Sequence, residues 1–247
     1  MLRGADKRMM MGGVNPLPML DGQLPPPTFL GNSGLIESAT AVNLAGFPGG
    51  LATGDITIIV IESNTGQPGT VSGGTGTWTQ FANSPQSASD TCLAAWWHRY
   101  TSGDSVPQID DVGDHMVASC LAFRGCGLGG NDPAEVTAGT TAAASTSVSF
   151  PTLTTYSWNC LILHLVAIGR DAIAGLTSPW LSGNQAGYWV NDTLSAVMPL
   201  FDRTSTIGGG GGWLAAMGVK GQPGPVGTTT TTIATSQAQG LMTIALR

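Results

Sequence analysis

Three histidines, four cysteines and one aspartate-dense loop are the residues from which this chain could build catalysis or a metal site. His98, His115 and His164 are far apart in sequence, each in or beside a strand-like run. None falls in an HExxH or related ligand spacing, so they read as core or edge histidines. Cys92, Cys120, Cys126 and Cys160 allow three disulfide pairings and match no metal-binding spacing. Three of them lie inside apolar runs, where cysteine acts as a small buried hydrophobe. The stretch SGDSVPQIDDVGDH carries Asp104, Asp110, Asp111 and Asp114. Loop carboxylates of this density can offer oxygen ligands to Ca²⁺, and Asp110, Asp111 and Asp114 are the weak candidates, but the spacing is not that of an EF-hand. No metal or cofactor is expected. There is no GxSxG elbow, no dinucleotide-binding glycine pattern and no paired-carboxylate signature, so no catalytic residue is nominated and the chain reads as a non-enzyme.

Tryptophan is the remaining residue type with a recognition chemistry, because its ring face can stack on sugars. Trp180, Tyr188 and Trp189 lie in the polar, loop-like SPWLSGNQAGYWVND and are the candidates for glycan binding. Trp96, Trp97 and Trp158 sit in apolar runs and are expected in the core.

The elements that must position these residues read as strands buried on both faces. GDITIIVIES, TCLAAWWHRY, MVASCLAFRG and WNCLILHLVAI stand between long stretches of Gly, Ser and Thr. Strands are expected at 35–44, 54–62, 76–82, 91–100, 115–124, 146–150, 158–168, 194–202, 212–219, 228–235 and 240–247. Turn residues separate them at intervals suited to an all-β antiparallel sandwich or jelly roll. Residues 134–146 (AEVTAGTTAAAST) are Ala-rich but broken by Gly139 and threonines, and read as a loop. Gly208 to Gly212 lacks the Lys and Ser/Thr of a phosphate-binding loop and reads as a flexible connection. GQPGPVG reads as a turn.

Residues 1–34 form a separate region before a β domain at 35–247. Pro16, Pro18, Pro25, Pro26 and Pro27 favour an extended arm over a core strand. Its apolar residues need a surface to lie on, and Leu17, Met19, Leu20, Phe29 and Leu30 are the expected anchors on a neighbouring subunit. Charged residues make up 10% of the chain, against about 25% in ordinary globular domains. A surface so poor in charge predicts packing against neighbours, hence a homo-oligomer or lattice. The net charge of −6 argues against general attraction to nucleic acid. The apolar run from Cys160 to Ile168 is far short of the roughly 20 residues that span a bilayer, so no membrane insertion is expected. Gly, Asn and Pro interrupt any export signal core after Lys7 and Arg8, which predicts folding in a reducing cytoplasm.

The order GDITIIVIES, TWTQ, LAAWWHRYTSGDSVP, MVASCLAFRG, NDP, WNCLILHLVAI, WLAAMGVKG and GLMTIALR resembles a β-sandwich domain of tailed-bacteriophage virion proteins. The likeness covers about Leu35 to Arg247, with the WW-x-R-Y-TSGD to AFRG stretch its most distinctive part. It implies a structural protein of the virion, in the tail, a fibre or as capsid decoration, assembled in the host cytoplasm with other virion proteins as partners. A carbohydrate-binding module for host attachment, recognising a surface glycan, is the alternative.

Overall fold

The computed structural model describes residues 24–64, 68–110, 112–127, 132–169, 193–204 and 210–247. Among them there is no helix. Two large antiparallel sheets dominate. The first is built on β4 (Ile56–Ser63), β8 (Cys92–Arg99) and β10 (Met116–Arg124), with β4 in the centre. Its edges are short: β1 (Thr28–Asn32) and β2 (Ile36–Ser38) pair with β10, while β6 (Thr79–Gln80) and β7 (Gln86–Ser87) pair with β8. The second sheet runs β11 (Ala134–Ser149), β17 (Thr230–Leu246), β13 (Cys160–Ile168), β15 (Gly212–Lys220) and β14 (Ser195–Thr204).

Side chains alternate across a strand, so a strand that is apolar at every position must be covered twice. Ile56, Ile58 and Val60 of β4 join Leu121 and Phe123 of β10 in one cluster. The same cluster takes Leu161, Leu163 and Leu165 of β13, Trp213 of β15, and Met242, Ile244 and Leu246 of β17. This is the core the two sheets share. The opposite row, Ile59 and Ile61 with Ala94, Met116, Ala118 and Cys120, is closed off by Leu44, Ile109 and Val112. These belong to or adjoin a small sheet of β3 (Val42–Asn43), β9 (Gln108–Ile109) and β5 (Val71–Ser72). On the far side of the second sheet, Cys160, Ile162 and Ala245 are covered by Leu153 and Val226. Those two residues pair in the ribbon of β12 (Leu153–Thr155) and β16 (Gly224–Val226).

Several expectations change. Residues 134–146 are not a loop; they form most of the edge strand β11, held along β17 from Ala134↔Leu246 to Ser149↔Thr230. The threonines that weaken a helix there suit a strand once a long partner supplies the ladder. The segments 228–235 and 240–247 are one continuous strand, β17. The expected strand 35–44 is two short ones in different sheets, and 76–82 contracts to Thr79–Gln80. Trp158 is not core: the buried strand starts two residues later, at Cys160, and Trp158 is 40% exposed. Trp96 and Trp97 are half-buried on opposite faces of β8, against the outer and the shared cluster respectively.

The β structure also begins before Leu35. Thr28–Asn32 pairs with β10, with Phe29 opposite Phe123 and the two rings 5.4 Å apart. Phe29 therefore packs against its own chain's core, and the half-buried Leu30 lies in the same strand. Leu17, Met19 and Leu20 lie outside the described residues. Phe29→Ala is expected to lower the unfolding free energy of the isolated chain by about 1–3 kcal/mol, less than the 3–5 typical of a fully buried ring. A shift in the urea midpoint measures it; no shift would return Phe29 to the arm.

Candidate functional site

The three histidines nominated for chemistry lie in different parts of the fold. His164, in the middle of β13, is 1% exposed and packs against Phe150, with ring centroids 4.7 Å apart. Thr243 Oγ1 donates to the Pro151 carbonyl at 2.7 Å, so its lone pair is free to receive His164 Nδ1–H at 3.1 Å. The other nitrogen, Nε2, then accepts from Thr229 Oγ1–H at 2.8 Å. Both ring nitrogens are satisfied by neutral partners. Burial pulls the imidazole down to about 3, so it stays uncharged.

His98 is the last but one residue of β8, shortly before the TSGD turn. Its Nε2 lies 2.8 Å from Asp104 Oδ2 and its Nδ1 3.2 Å from the Thr77 carbonyl. Burial works against ionisation of Asp104. The bond to His98, with others from the Thr101 N–H and Thr75 Oγ1, outweighs it and holds the carboxyl below its ordinary range. Asp110 is engaged elsewhere, accepting from Thr70 Oγ1 at 2.7 Å and from Ser72 Oγ, which ties β9 to β5. Asp111 lies outside the described residues, as do Trp180, Tyr188 and Trp189. Among the described residues no three His, Cys, Asp or Glu side chains converge as metal ligands. Cys92, Cys120, Cys126 and Cys160 are buried and unpaired.

One constellation was not anticipated. His115, entering β10, is flanked by two carboxylates: its Nδ1 lies 3.1 Å from Asp114 Oδ2, and its Nε2 faces Glu62 Oε1 at 3.5 Å. The second separation suits an ion pair but is long for a hydrogen bond. Glu62 is wholly buried near the end of β4, and its Oε1 accepts from Thr91 Oγ1 at 2.9 Å. Among the described residues, neither Glu62 Oε2 nor His115 Nε2 has a hydrogen-bond partner. Gly211, at the entry to β15, closes the pair from the second sheet. A Cβ there would stand 2.4 Å from Glu62 Oε2 and 2.5 Å from His115 Nε2, and its φ is +118°. Only glycine fits such an approach in that conformation. The end of the pentaglycine run is thus a close-fitting seal.

Burial pushes the Glu62 carboxyl up to about 7, with His115 and Thr91 offsetting part of the cost. Burial disfavours the charged form of His115 as well, but Glu62 and Asp114 outweigh it and raise the imidazole above its ordinary value. The pair is closed off from solvent, Glu62 being 0% and His115 2% exposed. One sequence signal points here: Glu62 is the lone ionisable residue in the largely apolar ITIIVIES, where a buried charge needs a partner. Nothing local marks His115 as that partner. No family model, no curated protein and no solved structure matches the chain.

Two outcomes follow. Glu62 and His115 bind protons more tightly when folded, so the stability each contributes is complete below its unfolded pKa. It is lost as pH rises, from about 4.5 to 7 for Glu62 and upward from 6.5 for His115. His164 has the opposite sign: its contribution is complete above 6.5 and is lost on acidification towards 3. Between pH 4.5 and 6.5 Glu62 and His164 oppose one another, by at most about 1.4 kcal/mol per pH unit each. Relative to wild type, Glu62→Gln should make stability fall more steeply on acidification through this window, and His164→Gln less steeply. Denaturant midpoints at several pH values read both. Gly211→Ala should destabilise by about 1–3 kcal/mol through strain and overpacking. A wild-type melting temperature would show that the seal has room.

Proposed function

We propose that this chain is a non-enzymatic structural protein of a tailed-bacteriophage virion. In this reading the two large sheets form a β-sandwich displayed on the particle, in the tail, a fibre or as capsid decoration. Residues before Leu24 dock it to other virion proteins, and the subunit is a homo-oligomer. The observation that carries the reading is where the polar side chains are used. His98 holds the loops beside β8, His115 and His164 bind within their own sheets, and Asp104 and Asp110 each close a turn or a small strand. Arg124 clamps Asp55 through Nε at 2.9 Å and Nη2 at 2.7 Å. Arg99 reaches the carbonyls of Gly54, Cys126 and Gly127. Chemistry of this kind supports a scaffold. The charge-poor surface and the sequence resemblance supply the assembly and the virion.

The docking role has a direct test whose boundary follows from β1. Removing residues 1–23 should leave a folded domain, by an unchanged melting transition, that no longer enters particles. Removing Met1 to Leu30 as well would take most of β1 and confuse the two effects. Incorporation of the shorter deletion at normal occupancy would sink the docking role. Saturable binding of the intact chain on a glycan array would instead favour the attachment module, with Trp180, Tyr188 and Trp189 as residues to replace.

A further inference from the structure

The two large sheets meet differently at their centre and at one end. At the centre the contact is apolar, with Ile58, Val60, Leu163 and Met242 in the shared cluster. At the end where β4 finishes and β10 begins, glycine backbone of the second sheet lies on titratable groups of the first. Gly211, entering β15, stands against Glu62 and His115, and Gly169, just after β13, stands against Asp90. A Cβ on Gly169 would come within 2.5 Å of Asp90 Oδ1 and 2.7 Å of the Asp90 carbonyl oxygen. The two glycines flank one place in the second sheet, since Gly212 pairs with Ile168. Neither brings a side chain, so the charge on the first-sheet groups decides what holds them there.

While the Glu62–His115 pair retains a proton, either the carboxyl is neutral or an imidazolium stands 3.5 Å from it. With the last proton gone, a bare carboxylate faces an imidazole lone pair in a place closed to solvent. The groups packed around it do not relieve that charge. From β10, Asp114 lies on the far side of His115, and ahead of β8 Asp90 adds negative potential at Glu62. Cys92 in β8 is a thiol whose ionisation burial opposes, and Thr91 supplies one hydrogen bond, to Oε1. Water is the remaining source of solvation, and the cover that yields most readily is glycine, which forfeits no buried side chain by moving. We propose that this end of the sandwich is a proton-operated seam: Gly169 and Gly211 lie against the first sheet while the Glu62–His115 pair retains a proton, and draw away when it loses the last one. Both groups hold protons more tightly in the closed seam than in water, so closure is complete below about 4.5 and weakens as pH rises through 7. β4, β8 and β10 remain paired, because their ladders do not depend on the seam.

Native-state amide exchange of the full-length chain tests the seam, read at Gly212 and Trp213 and corrected for the intrinsic rate at each pH. Both residues sit in the ladders to β13 and β14, so their protection reports the closed arrangement. They should exchange by a route insensitive to low urea, because a local opening exposes little surface. From about pH 5 to about pH 9 the corrected rate should rise, by at most roughly tenfold per unit. Glu62→Gln, with no proton to lose at that position, should flatten most of the rise. Asp114→Asn, which weakens the hold of His115 on its proton, should end it at a lower pH. Exchange that is urea-sensitive throughout, in step with Val117 and Leu121 of β10, would overturn the seam, since this end would then open only with the whole sandwich. A urea-insensitive route whose rate is the same at every pH would overturn it equally. Should Glu62→Gln not fold, wild type and Asp114→Asn decide the question by themselves.

Discussion

Burial on both faces of β4, β10 and β13 is the constraint from which the rest of the structure follows. A strand such as Ile56–Ser63, with every position buried, cannot leave either side to water, so one layer of contacts is insufficient. The shared core between the large sheets covers one row. The short strands around Ile109, and the β12–β16 ribbon, are needed to cover the others. Small local elements of two or three residues, which contribute little by themselves, exist here to complete that enclosure.

Complete enclosure raises the stakes for any polar group inside it, because an unpaired donor or acceptor away from water carries its full desolvation cost. His164 shows one solution. Two threonine hydroxyls and a carbonyl make a directed chain that leaves the ring neutral and both nitrogens used. Glu62 and His115 show another, in which opposite ionisation preferences are placed side by side and proton affinity is raised in both. The shifts at Glu62 and His164 are opposite in sign, so these two groups are expected to respond to pH in opposite directions.

Glycine has a specific use at the contact between the sheets. Gly211 lets the backbone entering β15 approach Glu62 and His115, and Gly240 of β17 lets that strand pass close to the Gln86 carbonyl, which a Cβ would meet at 2.5 Å. At these two positions glycine allows close approach between layers. The adjoining loop from Ala82 to Gln86 is stitched to β11, with Asn83 Nδ2 donating to the Thr137 carbonyl and Thr137 Oγ1 to that of Ala82. The second sheet is thereby registered on the first by polar bonds at its edge and apolar contacts at its centre.

By itself the sequence determined the all-β class and the positions of the strongest strands, β4, β8, β10, β13 and β15, because their unbroken apolar runs have the length of a strand and leave little alternative. It also marked the histidines as structural, while the partners of Glu62 were not anticipated. Tertiary structure alone decided what completes each of these. The threonine-rich segment from Ala134 is a strand because β17 lies alongside it, and Phe29 lies in a strand because β10 pairs with it. Glu62 meets His115 and Gly211 because three strands distant in sequence end at one place. Local composition reports whether a side chain seeks burial or a partner. Which residue fills that need depends on strand pairing across tens to more than a hundred residues, and no short-range pattern encodes it.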